Sequence, residues 1–302
     1  MSQRISFHDE IQRNKIKSFF LIAVIFAFFL LLGYFISYIL DPSYFFIIMI
    51  ISIIFSMSYI LISYYNSDKI AIASVRASPA SRTHHKGFYD TVENMSIASG
   101  LPMPRLYVMP SSQINAFASG RDPHHAVICV TTGALEKLNK QELEGVIAHE
   151  MSHIANFDIR FMTLTAILVG MISIAAEIFL RSLWFSSGNN SKRDGRAQAV
   201  LIVLGIIFAI LAPIVANLVS LAISRKREFT ADATGVKFTR YPTGLKNALT
   251  KIKHEHFSAD DKHKFPKAVA PLFISDPFKK KLRGLFSTHP DIDDRISKLE
   301  RM

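Results

Sequence analysis

Two apolar runs near the N-terminus decide what kind of molecule this chain can be. Ser18 to Leu40 is almost unbroken, and Tyr44 to Tyr65 follows it after only Asp41-Pro42-Ser43. Each is long enough to cross a hydrocarbon layer of about 30 Å as a helix. A soluble surface helix keeps its apolar residues to one stripe, and these runs are apolar all round. The first run is too long for the apolar part of a secretory signal, and a second span follows almost at once. The pair reads as a retained membrane hairpin.

Two further runs follow. Phe161 to Leu180 is interrupted only by Glu177, and Ala199 to Ile223 contains Pro213 and Asn217. Pro213 should kink its helix, which packed membrane neighbours can absorb. Buried core helices are the other reading of these two, and their length favours spans. These runs account for a mean hydropathy of +0.25. Arg4, Arg13, Lys15 and Lys17 precede the first span, which puts that end in the cytoplasm. An even number of spans then returns the chain each time to the same side. The Arg181–Gln198 loop falls outside on this count, although its own basic residues argue the other way.

Formal net charge is +11, from 35 Lys and Arg against 24 Asp and Glu, and the excess is concentrated after the fourth run. Aromatic residues are not interleaved with it, so no nucleic-acid partner is expected. Attraction to an anionic membrane surface and a plain solvated face both account for the charge. Cys129 is the only cysteine, which excludes an internal disulfide and any multi-thiolate metal site.

Between the second and third runs the pattern becomes that of a small mixed domain. Thr83 to Ser99 reads as an amphipathic helix with Phe88, Val92, Met95 and Ile97 on its apolar face. Gly100-Leu101-Pro102-Met103-Pro104 stops it. Strands are expected at Arg105–Met109, Ile114–Ala118 and Ala126–Thr131. Next comes Val146-Ile147-Ala148-His149-Glu150-Met151-Ser152-His153, on a helix that Asn139 and Glu142 can open as a capping box. Residues four apart share a helical face. His149 and His153 can therefore reach one metal ion, while Glu150 is offset towards a water, the arrangement of zinc peptidases.

A catalytic zinc takes a third protein ligand. After the fourth run, Arg225-Lys226-Arg227-Glu228-Phe229-Thr230-Ala231-Asp232 places two carboxylates four apart. Glu228 is the best third ligand in the soluble parts, with Asp232 able to orient a ligand histidine. A solvated acidic pair on a basic helix is the competing account. His254 to Arg283 is poorly periodic and reads as a long loop. Ser287-Thr288-His289-Pro290 should start a final helix, with Pro290 at its first position and Asp291, Asp293 and Asp294 in its first turn. His84, His85, His124, His125, His254, His256 and His263 have no partner at ligand spacing.

The ordered set resembles the HtpX-type membrane zinc endopeptidases, gluzincins related to the CAAX prenyl proteases. The likeness rests on the N-terminal hairpin, Asn115-Ala116-Phe117-Ala118, the His149–His153 motif, a second hydrophobic hairpin, Arg227-Glu228-Phe229-Thr230-Ala231-Asp232 and Thr288-His289-Pro290. Phe157 departs from it, standing where glycine is expected between Asn156 and Asp158. The resemblance implies an α+β fold: four transmembrane helices and a cytoplasmic zincin-like domain with a small β-sheet. The segments are a cytoplasmic N-terminus (1–17), a hairpin (18–65), a first catalytic half (66–160), a second hairpin (161–223) and a C-terminal half (224–302).

It also implies a bacterial inner-membrane protease that cleaves misfolded membrane proteins or unfolded polypeptides on the cytoplasmic side. One Zn2+ would sit on His149, His153 and Glu228. Glu150 then acts as general base, and His289 with Arg295 helps the oxyanion. Asn115 to Ala118, as an edge strand, can hold an extended substrate by main-chain pairing. Three other readings stand beside this one. One is a CAAX-type prenyl-protein protease, for which four spans are few. Another is a transporter or scaffold with a polar path at Glu177 and Asn217. The last is a non-catalytic zinc protein, against which the intact Glu150 counts.

Overall fold

The computed structural model describes residues 7–40, 42–168, 170, 205–206, 225–255, 269, 272–275 and 291–302. The chain opens with a long helix, α1 (Phe7–Leu40), a short 3-10 turn at Pro42–Tyr44 and α2 (Phe45–Tyr65). Both helices hold an apolar stretch long enough to span a membrane, Asn14–Leu31 and Phe45–Tyr65. Apolar side chains point outward along them: Phe19 is 74% and Phe46 77% exposed. Exposed apolar surface on that scale needs a non-aqueous neighbour, and a bilayer supplies one. At 1.5 Å per residue α1 is about 50 Å long, well beyond a hydrocarbon layer of about 30 Å. Its apolar stretch, Asn14–Leu31, leaves turns of the helix outside it at both ends.

The soluble part begins with α3 (Ser67–Ser74), β1 (Ser78–Pro79) and α4 (Lys86–Ser99). The expected helix start at Thr83 is three residues early. Phe88, Val92 and Met95 are buried as expected, but Ile97 is 77% exposed, because it points off the packed face near the Gly100 cap. Strands β2 (Arg105–Met109), β3 (Ala116–Gly120) and β4 (Ala126–Thr131) complete a sheet of order β1-β2-β4-β3. β2 runs parallel to β4, and β3 antiparallel to it. β3 sits two residues later than its sequence pattern suggests: its ladder with β4 starts at Ala116, and Asn115 before it pairs with Thr131 partly through the Thr131 hydroxyl.

β4 runs into α5 (Thr132–Lys137), capped by the Thr131 side chain, and then α6 (Lys140–Ala155). Asn139 accepts from the Glu142 amide, and the Glu142 side chain returns the bond to the Asn139 amide, closing the capping box. A helix described over residues 158–168 (α7) begins the third apolar run. Its Phe161, Leu164 and Leu168 pack against Leu21, Ile25 and Phe28 of α1. The rest of the third run, the Arg181–Gln198 loop and nearly all of the fourth run lie outside the described residues. So do Glu177, Pro213, Asn217 and His289.

The C-terminal half contributes α8 (Arg225–Thr239), α9 (Pro242–His254) and α10 (Ile292–Leu299). The last helix starts after the expected position: Asp291 is its cap, accepting from the Asp293 amide, so Pro290 is not its first residue. The main core forms where α4, α6, α9 and α10 cover the sheet, through Val92, Ile128, Ile147, Met151, Leu249 and Leu299. Two glycines set how closely the helices approach α6. A Cβ on Gly145 would lie 2.4 Å from the Leu245 amide nitrogen of α9. One on Gly235 of α8 would lie 3.1 Å from the His149 amide nitrogen.

Candidate metal centre

α6 is buried along almost its whole length because the sheet lies on one side of it and α8 and α9 on the other. Histidines on such a helix are removed from water and must find partners. His149 and His153 stand one turn apart, with their Nε2 atoms facing each other across 3.2 Å. α8 brings in Glu228, whose Oε2 is 3.5 Å from His149 Nε2 and whose Oε1 is 3.7 Å from His153 Nε2. All three side chains are buried, and one atom from each lies within 4.8 Å of the others. Two imidazole nitrogens and one carboxylate make a donor set suited to a divalent metal. The fit has a second mark: Glu150 Oε1 is buried without a hydrogen-bond partner. An orphaned carboxylate oxygen is costly, and a cation with its water beside these nitrogens would satisfy it.

Each imidazole is held from behind. His149 Nδ1 lies 2.9 Å from Asp232 Oδ1, and His153 Nδ1 lies 3.1 Å from Asp158 Oδ2. A carboxylate there fixes the ring and leaves Nε2 free to bind metal. Each carboxylate is in turn held by a buried arginine. Arg295 donates from Nε and Nη2 to the two oxygens of Asp232, at 2.9 and 2.6 Å. Arg227 Nε pairs with Asp158 Oδ1 at 2.9 Å.

The sequence pattern picked out Asp232 but not Asp158 or Arg227. Asp158 follows the end of α6, five residues beyond His153. An acidic residue just past a ligand helix is the signal that could have found it. Arg227 is next to Glu228, where its charge reads as one more basic residue after a span.

Arg295 is 1% exposed, far from a surface helper. Its Nη1 donates to the Ile274 carbonyl at 3.3 Å and lies 3.3 Å from Glu228 Oε2. The guanidinium thus backs both the Glu228 and the Asp232 carboxylates. Burial would raise the Glu228 carboxyl, but His149 and Arg295 hold it well below the usual range. Burial and Arg295 push the His149 imidazole down, yet Asp232 and Glu228 carry it up to about 9. Glu150 goes the other way: burial raises its carboxyl, against the pull of both histidines.

β3 borders the centre. It is a sheet edge, as its sequence suggests, and it packs directly against α6. The Asn115–Phe117 end of that edge is engaged by the chain itself. The Ile274 amide donates to the Ala116 carbonyl, the Asn115 side chain donates to the Ser275 carbonyl at 3.0 Å, and Phe117 bridges Phe273.

Comparison with known proteins agrees with this geometry. Residues 85–302 match the model of peptidase family M48. The chain is 41% identical over 300 residues to a protease HtpX homolog of Thermoanaerobacter pseudethanolicus, covering 97% of both chains. It is 43% identical over 296 residues to one of Caldanaerobacter subterraneus, again covering 97% of both. The crystal structure of S. mikatae Ste24p has a similar fold, with a TM-score of 0.50 and 18% identity. That likeness covers 95% of this chain and 65% of the longer Ste24p chain. On these grounds the chain belongs to peptidase family M48 and is an HtpX-type metalloprotease.

Proposed function

We propose that this protein is a zinc-dependent endopeptidase that cleaves misfolded or damaged membrane proteins on the cytoplasmic side of a bacterial inner membrane. The observation that carries the catalytic part is Glu150. It is buried beside the His149, His153 and Glu228 group, with one oxygen unpartnered and edge strand β3 packed against its helix. His149, His153 and Glu228 would hold the ion, Asp232 and Asp158 orienting the two imidazoles. When bound, zinc supplies Lewis acidity towards the scissile carbonyl and makes water a better nucleophile near neutral pH.

Glu150 takes the proton of the attacking water and passes it to the leaving amine; its raised affinity for protons suits a base working near neutrality. His289 is proposed as the oxyanion donor, on the resemblance alone. Arg295 has most of its hydrogen-bonding capacity spent on Asp232 and Ile274, so its proposed part is to fix Asp232 and Glu228, with any help to the oxyanion secondary. Substrate pairing along β3 is proposed for the Ala118 end of Asn115–Ala118, because the chain's own Ile274 and Ser275 hold the other end.

The membrane role rests on the exposed apolar faces of α1 and α2. The orientation, with both termini cytoplasmic and the Arg181–Gln198 loop outside, rests on Arg4, Arg13, Lys15 and Lys17 before the first span. Partners are then the bilayer and unfolded or membrane-embedded polypeptides, with no nucleic acid. The test is proteolysis of an unfolded membrane polypeptide by purified protein with zinc, with chelator, and as Glu150→Gln. Cleavage only by the zinc-loaded wild type is expected. Equal cleavage by Glu150→Gln would refute the assignment.

A further inference from the structure

Among the described side chains of α1, Asn14 packs its amide into the domain that carries the candidate metal centre. Asn14 is 6% exposed, although it lies at the start of a stretch apolar enough to enter a bilayer. A buried amide is costly unless its donors and acceptor are matched. Here both ends are. Asn14 Nδ2 donates to Asp158 Oδ1 at 2.7 Å and to the Asn156 carbonyl at 3.1 Å. Its Oδ1 accepts from Arg227 Nη2 at 3.3 Å.

The partners are what give this residue its meaning. Asp158 turns its other oxygen to His153, and Arg227 precedes Glu228 on α8. One amide thus joins the carboxylate behind one ligand to the arginine beside another. The turn between α6 and α7 is gripped by the next residue too: Lys15 Nζ sits 4.9 Å over the Phe157 ring. Phe157 is held at a φ of 58°, a left-handed conformation that a bulky residue adopts only under constraint.

We infer that Asn14 is a positioning residue of the metal centre: its amide fixes Asp158 against His153 and Arg227 beside Glu228, so the membrane anchor sets the ligand geometry. The inference rests on the reading of His149, His153 and Glu228 as zinc ligands. Without Asn14, Asp158 keeps Arg227 but loses the contact that directs its second oxygen to the imidazole. Outer-shell losses of this kind weaken metal binding by about 10- to 100-fold. Asn14 acts one residue further out, which places it at the lower end, at about 10-fold.

The experiment uses the full chain in lipid nanodiscs. Zinc dissociation constants are measured by chelator competition for wild type, Asn14→Leu, Asn14→Ser and Leu21→Ala. The visible spectrum of the cobalt-loaded protein and the melting temperature of the zinc-free protein are recorded alongside. Leu21 is fully buried on the same helix among Phe161 and Leu164, away from the amide network. Leu21→Ala opens a packing defect, so it should lower the melting temperature while leaving zinc affinity and the cobalt spectrum alone.

Asn14→Leu should weaken zinc about 10-fold and shift the cobalt bands. Asn14→Ser, which keeps a shorter donor and serves if the leucine variant does not fold, should show a smaller loss in the same direction. Unchanged zinc affinity in the Asn14 variants overturns the inference, as does an equal loss in Leu21→Ala, which would make Asn14 a packing residue. Wild type that binds no zinc would remove the ligand reading, and this inference with it, before any variant is compared.

Discussion

The two sides of the metal centre are built alike and anchored differently. Behind His149 stand Asp232 and then Arg295, all within the soluble domain. Behind His153 stand Asp158, Arg227 and then Asn14 of the helix that enters the membrane. Both sides use a carboxylate to orient an imidazole and an arginine to hold the carboxylate. The His149 side is closed by the final helix of the chain, and the His153 side by its first. A buried charge is stable only when its partners are fixed. Each side therefore borrows rigidity from an element remote in sequence, and one of those elements is the anchor.

The largest expected effect belongs to neither side. Glu150→Gln should lower kcat by about 100- to 10,000-fold, the usual value of a general base, while zinc stoichiometry stays at the wild-type value. Loss of zinc along with activity would mean that the two sides do not hold the ion without Glu150.

Removing the arginines should separate the sides next. Arg295→Leu leaves Asp232 and Glu228 buried without their guanidinium, and should cost about 3–5 kcal/mol of stability. Arg227→Leu should cost less, because Asp158 keeps the Asn14 amide. Thermal unfolding of both zinc-free variants in nanodiscs checks the order, and a reversed order would make the His153 side the more dependent one.

The backing carboxylates come third. Asp232→Ala and Asp158→Ala should each weaken zinc by about 10- to 100-fold. If the sides act independently, the double variant should show the product of the two losses by chelator competition. A double variant no worse than either single one would mean that the sides are coupled through Glu228.

The smallest effect is expected at Phe157. Replacing it by glycine relieves a left-handed conformation worth about 1–2 kcal/mol but loses the Lys15 and Arg160 contacts to the ring, worth about 0.5–1 kcal/mol each. Phe157→Gly should move the melting temperature little in either direction. A large drop would show that the ring, more than the Asn14 amide, docks the anchor on the turn.

The sequence legibly marked whatever repeats at short range. The α6 capping box, the i and i+4 histidines and the paired acids of α8 are local patterns, and each appears where its spacing placed it; the two N-terminal apolar runs are helical as well, with apolar stretches at Asn14–Leu31 and Phe45–Tyr65. Boundaries were less legible. β3 begins two residues late and α10 after Pro290, because strand pairing and capping, not propensity, set the ends. Ile97 satisfied the helical pattern and still faces outward, since a pattern does not say which face finds a partner.

By itself, then, the sequence determined the chemistry available: two imidazoles and a glutamate on one helix, a second acidic helix, and apolar runs that need a bilayer. Helical and strand periodicity are properties of neighbouring residues, so they can be read along a line. Only the tertiary structure decided that Asp158, Arg227 and Asn14 form one network, or that Arg295 lies beneath the ligands. It also decided that the chain's own Ile274 and Ser275 occupy part of the edge that a substrate was expected to take. These contacts join residues far apart in sequence. A buried charge takes its partners from whatever the packed elements bring within about 3 Å, and no spacing along the chain encodes that meeting.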